Sequence, residues 1–378
     1  MTTPPKFPLF LHASKQWAKK IKGKLRYFGT DKQKALERYT EERLHLEAGV
    51  NLRKLPPSKP VEPIQGVRLG EGIDLFLASC EARVAIKELS TLSLIDYKLT
   101  LGLVMASLDR SIPIQSTTPS HWASVYQRIA TNKNATTING EVARVRACFN
   151  WLEENRFIDR IPHYGSSLSR PSKSAIRKAR SATGKAWFEA HEIKSILEAS
   201  RPSLKAMILL GVNCGLGNSD CAQLKAEWLN VKTGWLDYPR PKTGVNRRAK
   251  VWPETIAAVD AWLRVRPKVN VPLLFITKQG NAWSDPDSPD CQIAKCFRQL
   301  CIDTSLHIKG RGFYGLRRTC ETIGSEAKDQ IALNHIMGHI DSSMGGVYRQ
   351  RVGDDRLEAV ASVIRGWLFG SKTSKSDL

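Results

Sequence analysis

At about 100–200 residues per domain, a chain of 378 residues suits two or three domains, and 42% hydrophobic with 25% charged residues excludes a collagen-like or wholly disordered polymer. Lys and Arg number 58 against 36 Asp and Glu, a net charge of +22 that favours a polyanionic partner, nucleic acid before an anionic membrane. The longest apolar stretch, Ala206 to Val212, is far short of the ~18 residues of a membrane span, and no apolar leader opens the chain, so an intracellular protein is expected.

Residues 1–60 hold 14 basic and 5 acidic side chains. Phe7, Leu9 and Leu11 alternate, and Gln16 to Phe28 sets Trp17, Ile21, Leu25, Tyr27 and Phe28 around a Lys22-Gly23-Lys24 turn, which predicts a small antiparallel sheet. Asp31 is placed to cap a helix from Lys32 to Leu46. Lysines interleaved with aromatics, Lys19, Lys20, Lys22 and Lys24 among them, suit contacts to phosphates; the plainer alternative is an inert basic extension. Residues 1–54 are therefore read as a DNA-binding module.

A Pro-rich linker, Leu55 to Pro60, leads to residues 66–165, which read as a helical domain. Leu92, Ile95, Leu99, Leu103 and Ala106 recur at helical spacing, and Val142, Val145, Phe149 and Leu152 form the apolar stripe of a helix from Thr137 to Asn155. Arg144 and Arg146 lie off that stripe, where they serve either as DNA contacts or as an ordinary solvated face. Residues 166–185 are rich in Ser and hold six basic residues and no acid, which predicts an extended linker lying along a phosphate backbone through Lys173, Arg177, Lys178 and Arg180.

From residue 186 to 378 the pattern is mainly helical, broken by a hairpin of Trp235–Tyr238 and Ala249–Trp252 around a Pro-Lys-Thr-Gly turn. A final amphipathic helix carries Leu357, Val360, Val363, Ile364, Trp367 and Leu368, able to pack on its own domain or on a neighbouring subunit. The eight cysteines are scattered, as reduced and mostly buried thiols would be; Cys291, Cys296 and Cys301 match no zinc spacing, and His335 with His339 lacks a third ligand nearby, so no metal is expected.

The most informative stretch is Phe313-Tyr314-Gly315-Leu316-Arg317-Arg318-Thr319, then Asn334-His335-Ile336-Met337-Gly338-His339, then Tyr348, nine residues after that last histidine. This order resembles the C-terminal signature of the tyrosine recombinase (phage integrase) family: His-x-x-Arg, Leu-Gly-His and a nucleophilic Tyr. Lys242 in the Pro-Lys-Thr-Gly turn looks like the family's hairpin lysine, and Cys214 to Asp220 stands where the family has Gly-Leu-Arg-x-x-Glu. Two positions depart from the pattern. Gly217 replaces the first arginine, with Asp220 at the glutamate, and Tyr314 replaces the histidine of His-x-x-Arg.

The resemblance implies a mainly α, multidomain protein. It would have a helical, SAM-like core-binding domain over 66–165, a linker over 166–185, and a mostly helical catalytic domain with a small β-hairpin over 186–378. Residues 1–54 would form an arm-type module of sheet plus helix. The activity implied is site-specific breaking and rejoining of DNA through a 3′-phosphotyrosine, without cofactor. Tyr348 would be the nucleophile, Arg317 and His339 the groups that bind the non-bridging oxygens, and Lys242 the proton donor. Three substitutes stand open for the missing arginine: backbone N–H groups at Asn218 to Asp220, at the start of a helix expected from Asp220 to Trp228; the Asn218 side chain; or Arg247 or Arg248 swinging in from the hairpin.

Implied partners are double-stranded DNA at core and arm-type sites, three further copies of the chain in a tetramer on paired sites, and an accessory DNA-bending or directionality factor. The implied location is the cytoplasm, on the nucleoid. Two competing functions share these residues: a DNA-binding protein that kept the recombinase fold but lost cleavage, and a DNA-relaxing enzyme like the type IB topoisomerases.

Overall fold

The computed structural model describes residues 7–21, 23–48, 66–240, 244–285, 288, 290–340 and 343–370. Lys22, Lys242, the Pro-rich stretch 55–60 and the tail after residue 370 lie outside the described residues. The chain groups into two compact units, Met1–Gln65 with Glu153–Asp159, and Gly66–Leu152 with Arg160–Leu378.

In the first unit, β1 (Phe10–Leu11), β2 (Trp17–Ile21) and β3 (Lys24–Gly29) form the expected antiparallel sheet, in that order. Phe10 pairs with Ala18, Ala18 with Tyr27, and Lys20 with Leu25. Cross-strand partners share a face, so exposed Phe10, Lys20, Leu25 and Tyr27 lie together on the side away from the helix. That helix, α1 (Lys32–Ala48), is capped by Asp31, whose Oδ1 accepts from Lys34 N at 2.8 Å. Leu9, Phe28, Ala35 and Tyr39 are buried together beneath it. Lys19 is turned inward, its Nζ donating to the Tyr39 hydroxyl at 2.7 Å.

The second unit begins with α2 (Leu69–Ala85), α3 (Thr91–Met105), α4 (Pro119–Ala130) and α5 (Ala135–Glu154). Val142, Val145, Phe149 and Leu152 of α5 are buried as their spacing predicts, with Trp122 of α4 edge-on to Phe149. On α3 the expected stripe is not the core: Leu94, Leu101 and Val104 are buried, whereas Leu92 and Leu99 are exposed. The helix is apolar nearly all round, so periodicity alone offers two stripes. Thr100 decides between them by donating to the buried Glu141 of α5 at 2.5 Å, a bond that needs that side of α3 to face inward.

The segment 166–185 is not fully extended. Ser172 caps α6 (Lys173–Ala182) by accepting from Ala175 N at 3.1 Å. Ala175, Ile176 and Ala179 share its half-buried side, and Lys173, Arg177, Lys178 and Arg180 are all exposed. Short alanines hid the helical period within a run that composition marks as linker.

The part from residue 186 onward is built on α8 (Pro202–Cys214), preceded by α7 (Ala190–Ala199). Every residue of α8 from Ala206 to Cys214 is buried. At about 1.5–3 kcal/mol for each large apolar side chain taken from water, this helix anchors the domain. It packs against α10 (Pro253–Val265), α12 (Tyr314–Gly324) and α15 (Asp354–Phe369). The helix expected from Asp220 to Trp228 is instead α9 (Asn218–Gln223) and a 3₁₀ turn at Ala226–Trp228. The hairpin is β5 (Trp235–Pro239) and β6 (Asn246–Lys250), pairing Leu236 with Ala249; its second strand begins before the expected Ala249–Trp252, and β4 (Leu229–Asn230) adds a third strand. Then come α11 (Gln292–Asp303), α13 (Gln330–Met337) and α14 (Met344–Tyr348).

The last helix, α15, packs on its own domain, burying Leu357, Val360, Ala361, Ile364 and Leu368. Trp252 Nε1 donates to Ala361 O at 2.9 Å, and ion pairs link α15 to β6 (Arg248–Asp354, Lys250–Glu358) and to Asp329 and Glu254. The cysteines are free thiols, most of them buried. Among the described residues no helix is long and apolar enough to cross a membrane.

Candidate active site

Two helices end in the left-handed conformation that glycine adopts without strain. Gly215 (φ 64) stops α8 and Gly338 (φ 62) stops α13. Arg317, one turn into α12 and only 2% exposed, reaches both ends: Nη1 donates to Gly215 O and Nη2 to Met337 O, each at 2.5 Å. Carbonyls at helix C-termini carry the negative end of the dipole, so the fold itself fixes this guanidinium. Its Nη2 also lies 3.3 Å from His339 Nε2. A guanidinium has five N–H donors, so these three contacts leave capacity for an anion.

His339 is positioned by the end of α13, where Gly338 N donates to His335 O at 3.1 Å and His339 N to Asn334 O at 2.9 Å. Its Nδ1 lies 4.0 Å from Glu321, one turn beyond Arg317 on α12. Burial lowers the His339 pKa from its ordinary value; Glu321 opposes the shift, while Arg317 and Arg240 add to it. The ring is therefore neutral at neutral pH, a hydrogen-bonding group rather than a second cation.

The hairpin faces the same place. Tyr238 pairs with Arg247 across β5 and β6, and by the period of two Arg240 continues their face. Built on Gly338, a Cβ would fall 2.6 Å from Arg247 Cδ and 3.0 Å from Arg240 Cδ, so only glycine lets both arginine stems lie across the end of α13. Arg247 is 4% exposed. Its Nη2 is 3.3 Å from Asp220 Oδ1 and its guanidinium stacks on Tyr238 at 4.5 Å. Arg240 is half-exposed at the foot of the turn, where its N donates to Val245 O at 2.9 Å and its Nη1 to Gly338 O at 3.1 Å.

The two departures from the family pattern are neighbours. A Cβ on Gly217 would sit 3.6 Å from Tyr314 Cδ2 and 3.5 Å from Asp220 Oδ2. Of the substitutes considered from sequence, the Asn218 to Asp220 amides open α9, next to a Gly217 N that donates to Asp220 Oδ2 at 2.8 Å, and Asn218 Nδ2 donates to Cys291 Sγ at 3.0 Å. Arg248 points to the opposite face of β6, clamped by Asp237 and Asp354. Arg247 lies close enough to Arg317 for the two charges to oppose each other.

Arg317 and His339 thus meet, whereas Tyr348 does not join them. It ends α14, is 74% exposed, and among the described residues is hydrogen-bonded to neither. Of the expected DNA contacts, Lys20, Lys24, Lys173, Arg177, Lys178 and Arg180 are exposed. Arg144 is paired with Asp96 at 2.5 Å, and Arg146 stacks on Tyr164 and donates to Leu168 O at 2.9 Å, so these two tie parts of the fold together. Sequence reasoning missed Arg240; its parity with Leu236 and Tyr238 along β5 was the available signal.

Residues 186–352 match the model of the phage integrase family. Solved structures with the same fold include a lambda integrase dimer bound to a COC′ core site, at 15% identity and a TM-score of 0.58 over 94% of this chain and 98% of that one. A lambda integrase tetramer bound to a Holliday junction matches at 15% identity and a TM-score of 0.58, over 93% and 99%. The Tn1549 transposon integrase with a circular intermediate DNA gives 15%, 0.56, 78% and 98%. No curated protein matches the chain. The likeness to these structures is one of fold. Residues 186–352 form a domain of the phage integrase family.

Proposed function

We propose that this protein cleaves and rejoins DNA at specific sites through a covalent 3′-phosphotyrosine. The Tyr348 phenolate, its proton released to solvent, attacks the scissile phosphorus; the new P–O bond replaces the bond to the 5′-oxygen, which leaves with a proton. Attack by the 5′-hydroxyl of another strand reverses the step without loss of bond energy and frees the tyrosine. Arg317 and neutral His339 bind the non-bridging oxygens on which charge gathers, and Lys242 is the proposed proton donor.

The observation that carries this reading is the 3.3 Å approach of Arg317 to His339 at the converging ends of α8 and α13, with a solvent-facing tyrosine nine residues further on. Because Tyr348 lies outside the cluster in this state, α14 must move when DNA seats, bringing the phenol to a phosphate held by its own subunit or a neighbour's. The exposed arginines and lysines of α6, and the outer sheet face with Phe10, Lys20 and Tyr27, are the proposed DNA contacts outside the catalytic domain. Assembly as a tetramer on two paired duplexes, to insert or excise a mobile element, is proposed from the likeness to the lambda and Tn1549 integrases.

Gly217 and Tyr314 favour one rival, a recombinase fold that binds DNA without cutting it. A suicide substrate nicked beside the cleavage site separates the two. Native protein is expected to form a covalent adduct and Tyr348→Phe none; no adduct across varied DNA sequences would leave the binding-only reading. Relaxation of an unrelated supercoiled plasmid by monomers would point instead to a topoisomerase-like activity.

A further inference from the structure

We infer that the guanidinium missing at residue 217 is supplied by Arg240, from the foot of the β5–β6 turn, with Arg247 as its positioning residue; this rests on the strand-cleavage reading above. A pentacoordinate phosphate spreads negative charge over two non-bridging oxygens, and Arg317 already spends N–H groups on Gly215 O and Met337 O. With His339 neutral, the site as read from the family motif holds one fixed cation where the chemistry rewards two.

The structure narrows the source of the second. The Asn218 side chain and Arg248 are each committed to other partners, and the Asn218 to Asp220 amides at the start of α9 carry no full charge. Arg247 is closest to Asp220, yet both its terminal nitrogens are closed to solvent, so it neutralises the carboxylate that a box arginine would have accompanied, and its stem fills the space over Gly338. Arg240 lies beside it on the same face of the hairpin and remains partly open to solvent. Its Nη1 is bonded to the carbonyl of Gly338, the residue directly before His339. A phosphate oxygen resting on His339 and Arg317 therefore comes within the sweep of the Arg240 side chain.

The test compares cleavage of two suicide substrates, one with an ordinary scissile phosphodiester and one with a methylphosphonate, in which a methyl group replaces a charged oxygen. An arginine needed to neutralise that oxygen becomes dispensable on the second. Arg240→Ala is expected to slow adduct formation about 100-fold on the phosphodiester and to match native protein on the methylphosphonate. Equal rates for Arg240→Ala and native protein on the phosphodiester would overturn the inference while leaving strand cleavage intact. So would loss on both substrates, which marks a structural role, or methylphosphonate rescue of Arg247→Ala in its place. If native protein forms no adduct with either substrate while binding both, the cleavage reading falls, and this inference with it.

Discussion

Arg247 Nη2 lies 3.3 Å from Asp220 Oδ1, joining the hairpin to the start of α9 where the family motif would place an arginine. Arg247 is almost wholly buried and Asp220 nearly so. Breaking such a pair strands a charge in a poorly solvated place, at a cost of about 3–5 kcal/mol. Arg247→Met is therefore expected to lower the urea midpoint sharply. The double variant Arg247→Met/Asp220→Asn should lose less than the two single losses together, because it strands nothing. Additive losses would show that the two side chains are not coupled.

Tyr348 sits on a five-residue helix that contains Gly345 and Gly346, between the firmly packed α13 and α15. Glycine costs a helix interior about 1 kcal/mol relative to alanine, which keeps α14 easily unfolded. A Cβ at 345 would meet only Arg349 and Ser343, at 3.7 and 3.8 Å. Gly345→Ala is thus accommodated and stiffens the segment. If the phenol must travel to reach the phosphate, this variant forms adduct more slowly, with unchanged DNA affinity measured by fluorescence anisotropy.

His335 and His339 give the protein an acid limit. Burial is the leading cause that lowers both from the ordinary 6.5, and Arg248 adds to it at His335 as Arg317 and Arg240 do at His339. In this window the unfolded chain binds more protons than the folded one, so stability rises with pH. The contribution is complete above about 6.5 and is lost as pH falls through the lower folded values. Thermal unfolding from pH 8 down to 5 is expected to show this decline, and His335→Asn should flatten it.

What could be read beforehand depended on whether one residue pattern admits one arrangement. The stripe of α5 was legible because polar residues occupy its other sides; α3, apolar nearly all round, offered two candidate faces, and only the Thr100–Glu141 bond selects between them. Arg317 and His339 were legible by order because one lies a turn into α12 and the other directly follows the glycine that ends α13. Arg240 was not, since its place depends on the strand parity of β5 and on the bare Cα of Gly338, two facts that meet only in three dimensions. The exposure of Tyr348 was equally hidden, for a motif states which residues react and not where they wait.

The basic run at 166–185 makes a graded prediction. Lys173, Arg177, Lys178 and Arg180 extend from α6 into solvent, whereas Arg144 and Arg146 are held by Asp96 and Leu168. Each phosphate that a variant no longer neutralises reduces the slope of log affinity against log salt by about one. Glutamine at two of the α6 positions is therefore expected to flatten the slope by about two. Arg146→Gln should leave the slope unchanged and lower the melting temperature instead. An unaltered slope in the α6 variants would remove this helix from the DNA interface.

Restoring arginine at residue 217 tests whether the site has been rebuilt around its loss. The backbone there is ordinary (φ −84), and a Cβ would make normal contacts with Asp220 and Tyr314. The longer side chain, however, must share Asp220 with Arg247, setting two guanidinium groups on one carboxylate. Like charges at such range in a partly buried site disfavour each other. Gly217→Arg alone is expected to slow adduct formation or leave it unchanged. In the Arg240→Ala background, where a cation is lacking beside Arg317, the same substitution should raise the rate. Acceleration in the native background would mean that the position is vacant and that no hairpin arginine has taken over its work.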